Sequence, residues 1–238
     1  MNLLFTGPAA IINDWISVCE SHTCHVYSRD AKKTLSKHAH KIDALDDVRD
    51  LDLVFNFHVG STPKRQALID EIVTYTGGKV PVLCNTVAVS ATEVATWTRK
   101  PACIVGVGAL PGLLAGECVE VAFPHGNTRA HEAVLRGFIE SVGKTMEVVA
   151  DEVGLVFPRV LCSILNEALF ALQQGVATEE DIETSMKLAV NYPRGPFEWG
   201  ALIGWRNVYT MVTALHTTLG DDRYRPAPLL RKLALSAD

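Results

Sequence analysis

The stretch Asn2-Leu3-Leu4-Phe5-Thr6-Gly7-Pro8-Ala9-Ala10-Ile11-Ile12 decides the fold. A short apolar, β-prone run meets a glycine, and helical spacing begins directly after it, with Ile12, Trp15, Ile16 and Cys19 on one face. A buried strand that turns tightly into a helix is the opening unit of a parallel α/β sheet. The alternation continues outward from there. Strands are predicted at residues 24–28, 52–57, 80–84, 102–107, 117–123 and 145–150, and helices at 64–75, 91–97 and 128–142. After Asp151 the strand signals stop. Helices are predicted at 159–174, ending at Gly175, at 179–191 behind a Thr178/Asp181 cap, and at 205–219, ending at Gly220. The segment 192–200 reads as a Pro/Gly turn with aromatics. The expected architecture is a reduced Rossmann-like α/β domain with a parallel sheet over residues 1–151, followed by an all-helical domain over 152–238.

Composition excludes several functions. The 238 residues carry 22 Lys+Arg against 27 Asp+Glu, a formal charge of −5, with 48% hydrophobic residues. That combination excludes disorder, and the slight acidity argues against a nucleic-acid partner, which needs positive charge to neutralise phosphates. Six cysteines lie without any CxxC pair, four of them in apolar runs, as expected for reduced, buried thiols. The N-terminus lacks the basic and apolar regions of a signal peptide, so a cytoplasmic protein is expected. The apolar stretch 102–123 is interrupted by Pro111, Glu117 and Glu120. It reads as a strand plus a loop rather than a membrane span, which needs about 20 apolar residues.

Candidate chemistry starts at the first turn. A dinucleotide fingerprint GxGxxG would place its glycines at positions 7, 9 and 12; only Gly7 is present, with Ala9 and Ile12 at the other two. The acid expected after the second strand is Asp30. Gly7, Ala9 and Asp30 are therefore candidates for a degenerate cofactor site. Gly106-Val107-Gly108 follows another strand, but Pro111 interrupts any helix there. His38-Ala39-His40 falls in a polar, helix-like stretch and reads as solvent-facing, with no further metal ligands nearby in sequence. His58 follows a strand end, where α/β sites form. No GxSxG elbow and no Walker A loop occurs.

The helical half carries a specific likeness. Asn166-Glu167-Ala168, Gly175, Glu180-Asp181-Ile182, Tyr192-Pro193, Gly195-Pro196-Phe197-Glu198 and Gly220-Asp221-Asp222-Arg223-Tyr224-Arg225-Pro226 come in the order of the C-terminal domain of 3-hydroxyacyl-CoA dehydrogenases. Residues 151–232 resemble that domain. Asp52-Leu53-Val54, Asn85-Thr86 and Cys118-Val119-Glu120-Val121 resemble the family's Rossmann half, shortened before Asp52. The chain resembles the reduced second module of long bacterial members of the phenylacetate-catabolism type, and that module is expected to stand alone here.

The resemblance implies oxidation of a (3S)-hydroxyacyl-CoA with hydride transfer to NAD. It implies a His base oriented by a Glu, with a Ser and an Asn on the substrate oxygen, and a dimer formed through the helical domain. Carried over position by position, the Ser falls on Val87, the His on Gly108 and the Asn on Pro158; only the Glu, Glu120, is retained. Asn85, Asn166 and Arg159 are the remaining candidates for substrate contact. His58 and His125 are the histidines considered as substitute bases. Three readings follow: a non-catalytic relative binding acyl-CoA or a partner, an active NAD-dependent dehydrogenase, and a structural module. NAD and acyl-CoA are the implied ligands, with no nucleic acid, membrane or metal.

Overall fold

The computed structural model describes residues 1–27 and 35–236 and divides into two compact units, 1–155 and 156–238. The first unit opens with β1 (Asn2–Thr6), α1 (Ala9–Val18), β2 (Thr23–Tyr27) and β3 (Ala39–Ile42). It continues with β4 (Leu53–Asn56), α2 (Pro63–Tyr75), β5 (Val82–Asn85) and α3 (Ala91–Ala95). It closes with β6 (Ile104–Val107), β7 (Cys118–Ala122), α4 (Glu132–Ser141) and β8 (Thr145–Val149). These strands form one sheet in the order β3-β2-β1-β4-β5-β6-β7-β8.

Every pairing is parallel except β6–β7, which is antiparallel. The expected parallel α/β sheet is thus present, with one antiparallel pairing within it. A parallel neighbour needs a crossover of roughly a dozen residues or more, usually a helix. Residues 108–117 hold only a single 3₁₀ turn, Leu113–Ala115, so the chain folds straight back.

β1, β4, β5 and β6 are buried on both faces, which explains why their sequences are continuous apolar runs rather than alternating ones. One face packs Phe5, Phe55, Phe57, Trp15 and Phe138 together, with Phe5 and Phe55 stacked at 4.8 Å. The other packs Leu4, Val54, Ile69, Ile72 and Cys84. All six cysteines are free and only Cys118 is exposed. Burial pushes the Cys84 thiol up to about 12 and Cys103 up to about 11, so neither is a nucleophile.

The segment around His38-Ala39-His40 is not helical. It forms the edge strand β3, because its backbone finds β2: Cys24 pairs Ala39, His25 pairs His40 and Tyr27 pairs Ile42. That pairing is non-local and leaves no helix-versus-strand signal in so polar a stretch.

The second unit comprises α5 (Phe157–Gln173), α6 (Glu179–Ala189), α7 (Pro196–Ile203), α8 (Trp205–Leu219) and α9 (Pro228–Ser236). Leu161, Leu165 and Leu169 of α5 and Val208, Met211 and Leu215 of α8 are buried. One prediction needs correction. The turn expected over 192–200 ends at Gly195, where Pro196 starts α7; proline's fixed φ suits a first helical turn. The C-terminal tail after Pro226 forms α9, which buries Leu230 and Ala234. Thr178 caps α6 as predicted, its hydroxyl accepting from Asp181 N at 3.2 Å. No helix among the described residues is long and apolar enough to cross a membrane.

Candidate functional site

The site is built where the chain changes direction in the sheet. β1 lies between β2 and β4, so β1–α1–β2 winds one way and the rest of the sheet grows the other. Such a switch point leaves a crevice beyond the strand ends. Here it is a cavity of about 630 Å³ whose lining includes Gly7, Pro8, Ala9, His58, Lys64 and Arg65.

Gly7 makes the turn possible. Its φ is +131°, and a Cβ there would lie 3.0 Å from the carbonyl carbon of Phe57. α1 then starts behind Pro8 with no side-chain cap. Its first-turn N–H groups face the strand ends uncapped, and such a terminus favours anions. Ala9, at the first helical position, adds a methyl group to this wall, and Ile12 is buried in the core rather than leaving the helix close to the strand. Asp30 lies outside the described residues. His58 follows β4 and is exposed at the cavity rim.

Arg65 was not foreseen. Thr62 caps α2, its hydroxyl accepting from Arg65 N at 3.2 Å, so Arg65 occupies the first turn and reaches back under the strand ends. The signal was present as Thr62-Pro63, a cap followed by a first-turn proline, with a cation two residues on. The side chain is buried yet contacts no carboxylate among the described residues. Its Nε donates to Asn56 Oδ1 at 2.9 Å, Nη1 to Gly60 O at 2.7 Å and Nη2 to Asn85 O at 2.8 Å, and the guanidinium lies over the Trp97 ring at 5.4 Å. Burial draws its pKa below the ordinary arginine value.

Arg65 is the centre of a polar chain across four strand ends. Asn56 Nδ2 donates to Thr6 Oγ1 at 3.0 Å. Asn85 Nδ2 donates to Ala109 O at 2.8 Å, while Asn85 Oδ1 accepts from Ala109 N at 3.3 Å. Asn85, a candidate for substrate contact, is thus buried and committed to backbone.

The second group of candidates surrounds the exit of β6. Val107 pairs Val121 across the antiparallel ladder, so Gly108 and Glu120 each stand one residue beyond that pair. Positions twelve apart in sequence are thereby brought side by side. Val87 is fully buried. The residues 107–110 carry no titratable side chain. Asp14 Oδ2 accepts from Gly112 N at 2.8 Å and holds the following loop. Asp151 accepts from Ala91 N and Thr92 N at 2.6 and 2.7 Å, in the first turn of α3, whose N-cap is Ser90.

In the helical unit, Pro158 lies in the first turn of α5. Arg159 Nε donates to the Tyr224 hydroxyl at 3.2 Å, with its guanidinium over the ring at 5.1 Å. Asn166 Nδ2 donates to Arg225 O at 3.0 Å and its Oδ1 accepts from Ala227 N at 2.8 Å. These two side chains organise the Tyr224–Ala227 segment.

The family described as "3-hydroxyacyl-CoA dehydrogenase, C-terminal domain" matches residues 154–238. A "Probable 3-hydroxybutyryl-CoA dehydrogenase" of Deinococcus radiodurans is 31% identical over 204 residues, covering 86% of this chain and 73% of that protein. The "3-hydroxyadipyl-CoA dehydrogenase" of Escherichia coli is 42% identical over 122 residues, covering 51% of this chain. The chain spans only 26% of that relative's length. In fold, the chain is similar to the crystal structure of (S)-3-hydroxybutyryl-CoA dehydrogenase PaaH1 from Ralstonia eutropha. The TM-score is 0.79 at 22% identity, covering 99% of this chain and 93% of that one.

Proposed function

This chain belongs to the 3-hydroxyacyl-CoA dehydrogenase family, and from that premise we propose that it is a catalytically degenerate member, serving as an acyl-CoA-binding or dimerisation module in fatty-acid or aromatic-acid catabolism. One observation carries the reading. At the exit of β6, next to Glu120, stands Gly108, with no side chain able to take a proton. A positioned base is worth roughly 10²–10⁴-fold in rate. Val87 offers a buried methyl surface and Pro158 has neither an amide side chain nor a backbone N–H. Position 108 supplies no imidazole for Glu120 to orient.

The nucleotide side is better preserved. NAD, when bound in this family, accepts the hydride. The uncapped start of α1, Lys64 and the 630 Å³ cavity fit its anionic pyrophosphate, while Ala9 narrows the backbone approach. Dimerisation is supported by α6, which buries none of its residues, and by exposed Val176, Leu188 and Val190. Cytoplasmic location is part of the same proposal.

Ligand binding tests it. Acetoacetyl-CoA at about 100 times its dissociation constant adds ~2.7 kcal/mol of stability, read as a raised melting temperature. No shift overturns acyl-CoA binding, and a monomer at all concentrations by ultracentrifugation overturns dimerisation. The second reading, an active NAD-dependent 3-hydroxyacyl-CoA dehydrogenase, is favoured by the 31% identity over 86% of the chain. It requires a substitute base, for which His58 at the cavity rim and exposed His125 are the candidates.

A further inference from the structure

The strand correction at β3 has a chemical consequence. His25 of β2 and His40 of β3 are direct partners across the parallel ladder at the outer edge of the sheet. Cys24 and Val26 enter one core layer, whereas Tyr27 and Ile42 enter the other. Period-two alternation puts His25 and His40 on the face of Tyr27 and Ile42. Their ring centroids are 5.8 Å apart, inclined by 39°. The Nδ1 of His25 is buried without a hydrogen-bond partner. An orphaned buried nitrogen calls for an explanation, and a bound ion supplies one.

Among the described residues, His25 Nδ1 makes no hydrogen bond to His40 or to any other group. A late first-row divalent ion can take one nitrogen from each ring. Such ions favour imidazole, with metal–nitrogen bonds of about 2.0–2.1 Å. Two bonds of that length, opened to a tetrahedral or wider angle, place the ring centres about 5–6 Å apart. We propose that the His25–His40 pair is a binding site for a late first-row divalent metal ion, Cu(II) most tightly, held by the two imidazoles with water completing its coordination. Among the described residues no third His, Cys, Asp or Glu completes a cluster. The site is therefore an exchangeable one that clips the edge strand β3 to β2, not a closed structural centre.

The test is titration of the full chain with CuCl₂ near neutral pH by calorimetry, with Cu(II) electron paramagnetic resonance as the ligand readout. The expected result is saturable binding of about one ion per chain with two nitrogen donors. Losing even an outer-shell partner weakens metal affinity by about tenfold. His25→Ala and His40→Ala each weaken binding at least that much and remove the two-nitrogen signature. His22 lies 3.4 Å from the amino terminus and is the competing site; His22→Ala leaves the affinity unchanged. His40 is exposed, so His40→Ala carries the test even if His25→Ala fails to fold. Absence of saturable binding, unchanged affinity in His40→Ala, or loss confined to His22→Ala overturns the proposal.

Discussion

The exits of β1 and β6 lie on one sheet and are tied by one polar chain, yet they differ in what they present. The β1 exit keeps a glycine turn, an uncapped helix start, Lys64 and a cavity. The β6 exit presents Gly108 beside Glu120, and Val87 after β5 is buried. The backbone brings residue 108 beside Glu120, and residue 108 is a glycine. Fold and reactivity are separable: hydrogen bonds from Asn85 to both ends of Ala109 hold the β6 exit in place regardless of what residue 108 carries.

Breaking the chain that joins the two exits has the largest effect. Arg65→Met strands Asn56 Oδ1, Gly60 O and Asn85 O in buried surroundings, and unfolding in urea should show a loss of about 3–5 kcal/mol. Asp151→Ala removes the carboxylate that holds two first-turn N–H groups of α3, just downstream of β5, and should lower stability by about 2–3 kcal/mol in the same experiment. Gly7→Ala separates the exits. The new Cβ meets the Phe57 backbone at 3.0 Å with φ at +131°. A loss of about 1–3 kcal/mol is expected, with any thermal shift by NADH reduced and the β6 exit untouched.

The smallest effect is with pH. His25 and His22 have folded pKa values lowered chiefly by burial. The unfolded chain therefore binds more protons, and stability rises with pH through this window. The contribution is full above the ordinary value near 6.5 and declines as pH falls below it. The melting temperature should drop between about pH 7 and 5.5, and His25→Asn should flatten the slope.

The glycine turn, nearly every strand and the change to an all-helical half were legible in the sequence because each is local: apolar runs, caps and turn residues. The juxtaposition of Gly108 with Glu120 was legible only through family spacing, since the antiparallel return of β7 that creates it carries no local signature. Arg65 was missed because a first-turn arginine reads as solvated until strand ends are known to lie beneath it. His40 was misplaced because edge pairing with His25 is a property of two segments at once. Asn85, Asn166 and Arg159 were singled out as ligand contacts; Asn85 and Asn166 spend their amides on backbone, and Arg159 holds Tyr224.

The most direct measurement is steady-state oxidation of NADH in the presence of acetoacetyl-CoA, run beside a family member that retains the His, Ser and Asn. The account predicts kcat at least about 10²-fold below that enzyme, the deficit expected when the base is missing. Turnover within about tenfold of it would contradict the degenerate reading and require another base.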